Sequence, residues 1–535
     1  MADSWYHGRT ASAGIAIGTA FPLPPKPAEP PAAERAAGGA EAEMAALHAA
    51  VQAAVDEISE LMAAAAEDAA DILEFQIAML EDDTLREPAL LEIAQGRMAD
   101  LAWAEALDAQ IADYAASDDD YFKARTADLQ DMRDRVLRHL RGENAIEVPP
   151  GAIVLGEDLT PSLFLSLDWT RGGGIALSKG SSSSHVAMLA RMRRVPMVVG
   201  LGIDVSVVAP GSTVIVDAES GRIVIEPDAA TRTDIEARRL QLDAEQARAE
   251  EYRLQPACAA DGTEIRLLIN IADLTDLENL DPAICDGIGL VRTEFLFRQD
   301  GKLPTEAEQY EIYRRMVEWA QGRPVTVRTL DAGGDKPIAG LTLPESNPFL
   351  GLRGLRLSLA RPDVFKVQLR ALCRAACHGD LKIMLPMVSV PGELDAARRL
   401  LDEVVEELRS EDIPHRLPPL GIMVEVPSVA LMPERFAADF YSIGSNDLTQ
   451  YTLAAARDLG SVAALVDAGD PAVLKLIANT AAYGRQSGRE VSLCGDAAAD
   501  TRLVPQLLAA GLRALSVAPA AVGRVKAAVA STRLA

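Results

Sequence analysis

Eight short apolar runs, each closed by polar residues, occupy the second half of the chain. In order they are "EIRLLINI", "GIGLVRTEF", "VTVRTLD", "LKIMLPMV", "LGIMVEVP", "FYSIGSND", "EVSLCGD" and "LRALSVAP", most of them separated by helical patterns. A strand buried on both faces needs a continuous apolar body, and one that ends at a working face needs a polar tip. Eight such units within residues 256–535, a length close to the roughly 250 residues typical of the fold, predict a (β/α)8 TIM barrel. The tips carry Arg292, Arg328, Glu425, Asn446 with Asp447, and Cys494.

These residue types point to an anionic ligand. Arg292 and Arg328, at neighbouring predicted strand ends, make a planar, permanently charged clamp for a phosphate or carboxylate. Arg353 in "NPFLGLRGLR" and Arg457 after "LTQYTLAAA" can add to it; structural salt bridges are the competing use. Glu425 and Asp447 can both give oxygen to one Mg2+, which takes one or two carboxylates, waters and substrate phosphate oxygens. A general acid/base pair is the alternative use, and a purely structural pair a third. Together, arginines and metal suit a small, doubly anionic, phosphorylated substrate. Cys494 can be a buried space-filler, a nucleophile or a proton donor. No histidine follows nearby to activate it, so donation ranks above attack. A barrel that cleaves a phospho-enol needs such a donor, because the leaving enolate takes a proton on carbon, and a thiol of pKa about 8.5 can deliver it.

None of the tips is an obvious phosphoryl acceptor. The candidate lies elsewhere, in "SKGSSSSHVAMLARMRRVP", where a serine run ends at His185; taken alone the stretch reads as a plain Ser-rich loop, and the barrel's want of an acceptor favours the histidine. A neutral imidazole is a competent nucleophile near pH 7, and the helix predicted to start there favours an anion. Short β-rich pieces surround it from Val148 to Pro227: "GAIVLG", "GGGIALS", "VPMVVG" and the hairpin pattern "STVIVDAESGRIVIEP". They predict a small α/β domain with His185 on a loop entering its helix.

Ahead of that domain, "ASAGIAIGTAFPL" is an apolar start and "PLPPKPAEPPA" a Pro-rich bridge. An Ala-rich tract follows from about Glu34 to Arg141. Met44, Leu47, Val51, Val55, Ile58 and Leu61 recur at the spacing of one buried helix face, and acidic turns such as "LEDDT" and "ASDDD" divide the tract into an antiparallel bundle. "TRTDIEARRLQLDAEQARAEEYRLQ" reads as a charged connector helix.

The net charge of −27 argues against nucleic acid and suits a basic protein partner, with acidity that only aids solubility as the equally good alternative on charge alone. No apolar run reaches the roughly 18 residues of a membrane span, and the N-terminus lacks the plan of a signal peptide, so a cytoplasmic protein without membrane insertion is expected. Five scattered cysteines suit reduced thiols. Cys373, Cys377 and His378 could be read as a metal cluster; without a fourth ligand they read as structural residues of a helix.

The motifs "GIGLVRTEFLF", "VRTLDAGGDKP", "NPFLGLRGLR", "GIMVEVP", "FYSIGSNDLTQYTLA" and "LCGDAA", with "FQIAMLEDD", "YFKARTADLQDMRDRV" and "ASAGIAIG", are similar in content and order to enzyme I of the phosphoenolpyruvate-dependent sugar phosphotransferase system. The resemblance covers nearly the whole chain. It implies transfer of the phosphoryl group of phosphoenolpyruvate to Nε2 of His185, then to a histidine of the phosphocarrier protein HPr. It further implies phosphoenolpyruvate binding by Arg292, Arg328, Arg353, Asn446, Asp447 and Arg457, Mg2+ held by Glu425 and Asp447, and proton donation by Cys494. The implied architecture is multidomain: an α/β swivelling phosphohistidine domain (1–21 and 146–227) with an inserted α-helical, HPr-binding bundle (22–145). A linker helix (228–255) and a barrel that binds phosphoenolpyruvate and dimerises (256–535) complete it.

Some positions depart from the family pattern. Gly-Ser-Ser-Ser-Ser precedes the histidine where Gly-Gly-Arg-Thr-Ser is usual, so Ser182 replaces an arginine and Ser183 a threonine. Val186-Ala187 follows it, as in the dikinases that make phosphoenolpyruvate, and Ala456 stands where a carboxylate is usual. The dikinases themselves need a large ATP-binding domain, for which the N-terminal part is too short and lacks a Gly-rich nucleotide motif. A catalytically silent scaffold would have no need for Cys494, Glu425 and Asp447 together.

Overall fold

The computed structural model describes residues 5–24, 39–64, 70–116, 120–144, 146–182, 184–205, 208–278, 280–297, 302–334, 336–457, 459 and 461–534. Most of the Pro-rich bridge, the centre of the "ASDDD" turn and Ser183 lie outside them. The chain forms two compact units, Met1–Asp243 and Ala244–Ala535.

In the first unit, β1 (Trp5–His7), β2 (Arg9–Ser12) and β3 (Ile15–Pro22) precede a helical tract of α1 (Ala40–Ala64), α2 (Ala70–Glu81), α3 (Asp83–Ala94), α4 (Ala99–Ala116) and α5 (Asp120–Arg141). Then come β4 (Ile153–Gly156), α6 (Pro161–Ser166), β5 (Gly174–Leu177), α7 (His185–Met192), β6 (Met197–Val199), β7 (Thr213–Asp217) and β8 (Arg222–Ile225). The eight strands make one sheet in the order β1-β8-β7-β3-β4-β5-β6-β2. β3 pairs in parallel with β4 and antiparallel with β7, so segments on both sides of the helical tract share the sheet. The hairpin read in "STVIVDAESGRIVIEP" is β7–β8, with Asp217 opposite Arg222.

The predicted helix face is the one that packs: Leu47, Val51, Val55 and Ile58 are buried, and Met44 and Leu61 lie against the same core. That core is continuous with Phe164 of α6 and Val186 and Leu189 of α7, which seats the bundle on the His185 side of the sheet. Asp82, in the "LEDDT" turn, accepts the Thr84 amide at 2.8 Å and caps α3. The connector is α8 (Ala229–Tyr252); Ile235 packs with Ile215 and Val224, and Arg238 donates to buried Asp217 at 3.0 Å.

The second unit is a closed barrel of eight parallel strands: β9 (Arg266–Ile271), β10 (Ile288–Val291), β11 (Val325–Arg328), β12 (Leu381–Leu385), β13 (Leu420–Val424), β14 (Tyr441–Gly444), β15 (Val491–Cys494) and β16 (Ala514–Val517). Each coincides with one of the eight apolar runs. Ile269, Val327, Ile383, Ile422, Ile443, Leu493 and Leu515 are buried in one large core, while Leu290, Met384, Met423, Phe440 and Cys494 form a separate cluster.

Candidate active site

The C-terminal ends of β11, β13, β14 and β15 bring charge together in an apolar setting. Arg328, the last residue of β11, is buried; its Nη2 donates to Glu294 Oε1 at 2.6 Å, and its Nη1 lies 3.3 Å from Asp331 Oδ2. Arg353 is 1% exposed and donates from Nη2 to both oxygens of Asp331, at 3.1 and 2.9 Å. Its Nη1 reaches Asp447 Oδ1 and the Tyr451 hydroxyl, each at 3.3 Å. Arg457 Nη1 is 4.0 Å from the other oxygen of Asp447. Burial opposes the charges of Arg328, Arg353 and Asp331, and the pairing overrides it. Glu294, Asp331 and Glu425 hold Arg328 above the usual guanidinium range, while Arg328, Arg353 and Lys336 hold Asp331 below the usual carboxylate range.

Glu425 responds in the opposite way. Burial, then repulsion by Asp447 and Asp331, pushes its carboxyl up to about 8, although Oε1 accepts the Met387 amide at 2.6 Å. Gly444 leaves the space this carboxyl occupies: a Cβ there would come within 3.1 Å of Glu425 Oε2. Asp447 lies in the first turn of the helix Ser445–Leu453 rather than on the strand tip itself. Asn446 beside it is anchored by Asp496, donating to its carboxylate at 3.1 Å and accepting its amide at 2.9 Å. Cys494 ends β15, is buried, and accepts a hydrogen bond from Ser442 Oγ at 3.5 Å; burial pushes its thiol up. Arg292 is exposed and forms no salt bridge among the described residues.

The barrel residues singled out from sequence thus share one strand-end region. The reading missed Glu294, Asp331 and Lys336, which stand just past the arginine tips in "VRTEFLF" and "RTLDAGGDKP". Lys336 is pulled down by burial and then by Arg328. The signal was available for Glu294 and Asp331, each a charged residue beside apolar ones in a buried segment, and not for half-buried Lys336, which follows two glycines and an aspartate.

Two carboxylates of opposed behaviour beside two buried arginines are suited to a cation and an anion bound together. Glu425 and Asp447 fit a Mg2+ site in donor type, because a divalent cation would relieve the repulsion that drives Glu425 up. No group of three or more His, Cys, Asp or Glu residues arranged for a metal occurs among the described residues, so remaining ligands would be water and substrate oxygens. Cys373 is buried, Cys377 is exposed, and His378 Nε2 bonds the Tyr310 hydroxyl at 2.9 Å, in keeping with the helix reading of that segment. Arg328 Nε is buried without a hydrogen-bond partner, a donor still to be filled.

His185 is the first residue of α7, whose N-cap Ser184 accepts the Ala187 amide at 3.2 Å. Its ring is part-exposed, and Nδ1 stands 3.5 Å from Oδ2 of Asp128, a fully buried residue of α5 that sequence reading also missed. The Ser182 carbonyl accepts from Arg191 Nη1 at 2.8 Å, and the same atom donates to the Ala11 carbonyl at 2.8 Å. Lys179 is exposed and paired with Glu157. No helix among the described residues is long and apolar enough to cross a membrane.

Three family descriptions match in sequence order: "PEP-utilising enzyme, N-terminal" over residues 7–125, "PEP-utilising enzyme, mobile domain" over 148–221 and "PEP-utilising enzyme, PEP-binding domain" over 246–534. A phosphoenolpyruvate-protein phosphotransferase of Bacillus sp. (strain S) is 38% identical over 523 residues, covering 96% of this chain and 90% of its own. The Bacillus subtilis (strain 168) protein of the same name is 35% identical over 527 residues, covering 95% and 91%. A solution structure of an Enzyme I (nEIt) protein, 29% identical, covers 44% of this chain and 99% of its own at a TM-score of 0.37, and none of the assignment rests on it. Matched across nearly its whole length, and with each matched segment carrying part of the geometry above, the chain belongs to the phosphoenolpyruvate-protein phosphotransferase family.

Proposed function

We propose that this chain is enzyme I of a sugar phosphotransferase system. In this reading it moves the phosphoryl group of phosphoenolpyruvate to Nε2 of its own His185, releases pyruvate, and passes the group to a histidine of HPr. The observation that carries the reading is a barrel mouth whose buried arginines are held charged by carboxylates, with Arg328 Nε buried and without a hydrogen-bond partner.

In the first half-reaction the Nε2 lone pair forms the N–P bond as the P–O bond to the enol breaks. The electron pair leaves on the enolate, whose methylene carbon then takes a proton. Arg292, Arg328, Arg353, Asn446, Asp447 and Arg457 bind and orient the substrate anion. Glu425 and Asp447 would hold Mg2+, which supplies neutralising charge for the phosphate oxygens. Cys494, kept as a thiol by burial, gives the proton to carbon.

The remaining assignments belong to the same proposal. The shared sheet of β3 and β4 supports a phosphohistidine domain of residues 1–21 and 146–227 interrupted by an HPr-docking bundle of 22–145. Residues 228–255 form the linker on which the histidine domain swings, and 256–535 the substrate barrel. In the same reading the barrel unit, whose exposed apolar residues include Leu343, Leu350 and Leu431, would carry the contact with a second copy of the chain. Five free cysteines suit a reducing cytosol.

The test is incubation with phosphoryl-labelled phosphoenolpyruvate and Mg2+ without ATP. An acid-labile, base-stable label on His185 and stoichiometric pyruvate are expected. Label that persists in His185→Ala, or that requires ATP, would sink the proposal.

A further inference from the structure

Helix α5 carries two buried carboxylates three residues apart, and they are used differently. Asp131 is saturated: Oδ1 accepts Ser162 Oγ at 2.5 Å, and Oδ2 accepts Gln76 Nε2 at 3.1 Å and the Ser162 amide at 3.3 Å. It fastens the bundle to α6. Asp128 has capacity to spare. Its Oδ2 lies 3.2 Å from Arg125 Nη1 and 3.5 Å from His185 Nδ1, while its Oδ1 is buried with no hydrogen-bond partner. His185 Nδ1 is buried and equally without one. A buried polar atom without a partner is costly, and the Asp128 carboxylate lies 3.5 Å from the unfilled Nδ1, so the two call for a shared proton.

We propose that Asp128 is a positioning residue for His185. It holds the imidazole as the Nδ1–H tautomer, so that Nε2 keeps its lone pair for the phosphoryl group. The inference rests on the reading of His185 as acceptor. When Nε2 forms its bond to phosphorus and the enolate departs, both ring nitrogens carry substituents and the ring is cationic. Asp128 then faces that charge through the Nδ1–H. The other charged groups at hand are engaged: Arg125 is paired with Asp128 on α5, and Arg191 on the histidine's own helix is bound to the Ser182 and Ala11 carbonyls. Asp131, one turn along, is committed to Ser162 of α6 and to Gln76.

Full-length protein labelled with 15N-histidine would be examined by NMR at pH 8.5, about two units above the ordinary imidazole pKa. His185 is expected as the Nδ1–H tautomer. Asp128→Asn, whose amide can present either oxygen or nitrogen to the ring, is expected to give a tautomer mixture and phosphorylation from phosphoenolpyruvate slowed 10- to 100-fold. Asp128→Glu should recover part of both. Asp131→Asn should lower the melting temperature and leave the tautomer alone. A wild-type His185 in the Nε2–H form overturns the inference without any variant, which also covers failure of Asp128→Asn to fold. So does an Asp128→Asn protein equal to wild type in tautomer and rate. An Nδ1–H His185 that takes no label from phosphoenolpyruvate would defeat the proposed function and leave the orienting role of Asp128 standing.

Discussion

Glu425 Oε1 accepts a 2.6 Å hydrogen bond from the amide of Met387, a non-glycine residue held in the left-handed region at φ +55°. Such a backbone costs about 1–3 kcal/mol and persists only where neighbours impose it. Here Gly354 leaves the room: a Cβ on it would come within 2.8 Å of Met387 Cβ. The strained amide is therefore aimed at one carboxylate oxygen, and it does not suffice to keep that carboxylate charged.

A stability signature follows from Glu425. Its folded pKa of about 8 exceeds its ordinary value of 4.5, so between these pH values the folded protein retains a proton that the unfolded chain has released. Stability from this group is complete below about pH 4.5 and is lost as pH rises toward 8. The metal-free wild type should lose melting temperature across that window relative to Glu425→Gln, and Mg2+ should restore it at pH 8. Parallel melting curves for the two proteins, followed by calorimetry, would count against this account.

The arginines separate by burial. Arg292 is exposed and unpaired among the described residues, so Arg292→Ala should leave the melting temperature unchanged and raise KM for phosphoenolpyruvate. Arg353→Ala removes the nearest partner of buried Asp331 and Asp447, leaving only the longer contacts to Arg328 and Arg457, and should cost about 3–5 kcal/mol of stability as well as activity. Denaturant unfolding alongside steady-state kinetics distinguishes the two; equal stability losses would refute the distinction.

Cys494→Ala should slow pyruvate formation by about 10²- to 10⁴-fold, the usual worth of a placed proton donor, with substrate affinity retained. Because burial keeps the thiol protonated, this step should show no loss between pH 7 and 8.5. Rapid-quench measurement of pyruvate checks both points, and near-normal turnover in the variant removes the thiol from the mechanism.

The proposed docking of a basic carrier on the acidic turn between α2 and α3 can be tested there, but Asp82 is engaged as a helix cap, whose loss costs about 1 kcal/mol. Glu81→Lys with Asp83→Lys avoids that cost. The pair should weaken transfer to HPr several-fold, more at low salt, while self-phosphorylation from phosphoenolpyruvate is spared. Unchanged transfer rates would exclude this turn from the docking face.

The sequence by itself determined the local architecture. Eight apolar bodies with polar tips became eight barrel strands, "STVIVDAESGRIVIEP" became a hairpin, and the Met44–Leu61 spacing marked the packed face of α1, because strand and helix periodicities are properties of neighbouring residues. It also put Arg328, Glu425 and Cys494 at or beside strand ends. Tertiary structure decided the pairing. Arg353 meets Asp447 across 94 residues, and His185 meets an aspartate of α5, a bundle helix lying between β3 and β4 in the chain. No spacing rule encodes such contacts, since desolvation makes each buried charge depend on whichever opposite charge the fold brings beside it. The serine run before His185 shows the same limit. Its cations are visible in the sequence, but only the fold commits Arg191 to the Ser182 and Ala11 carbonyls and Lys179 to Glu157.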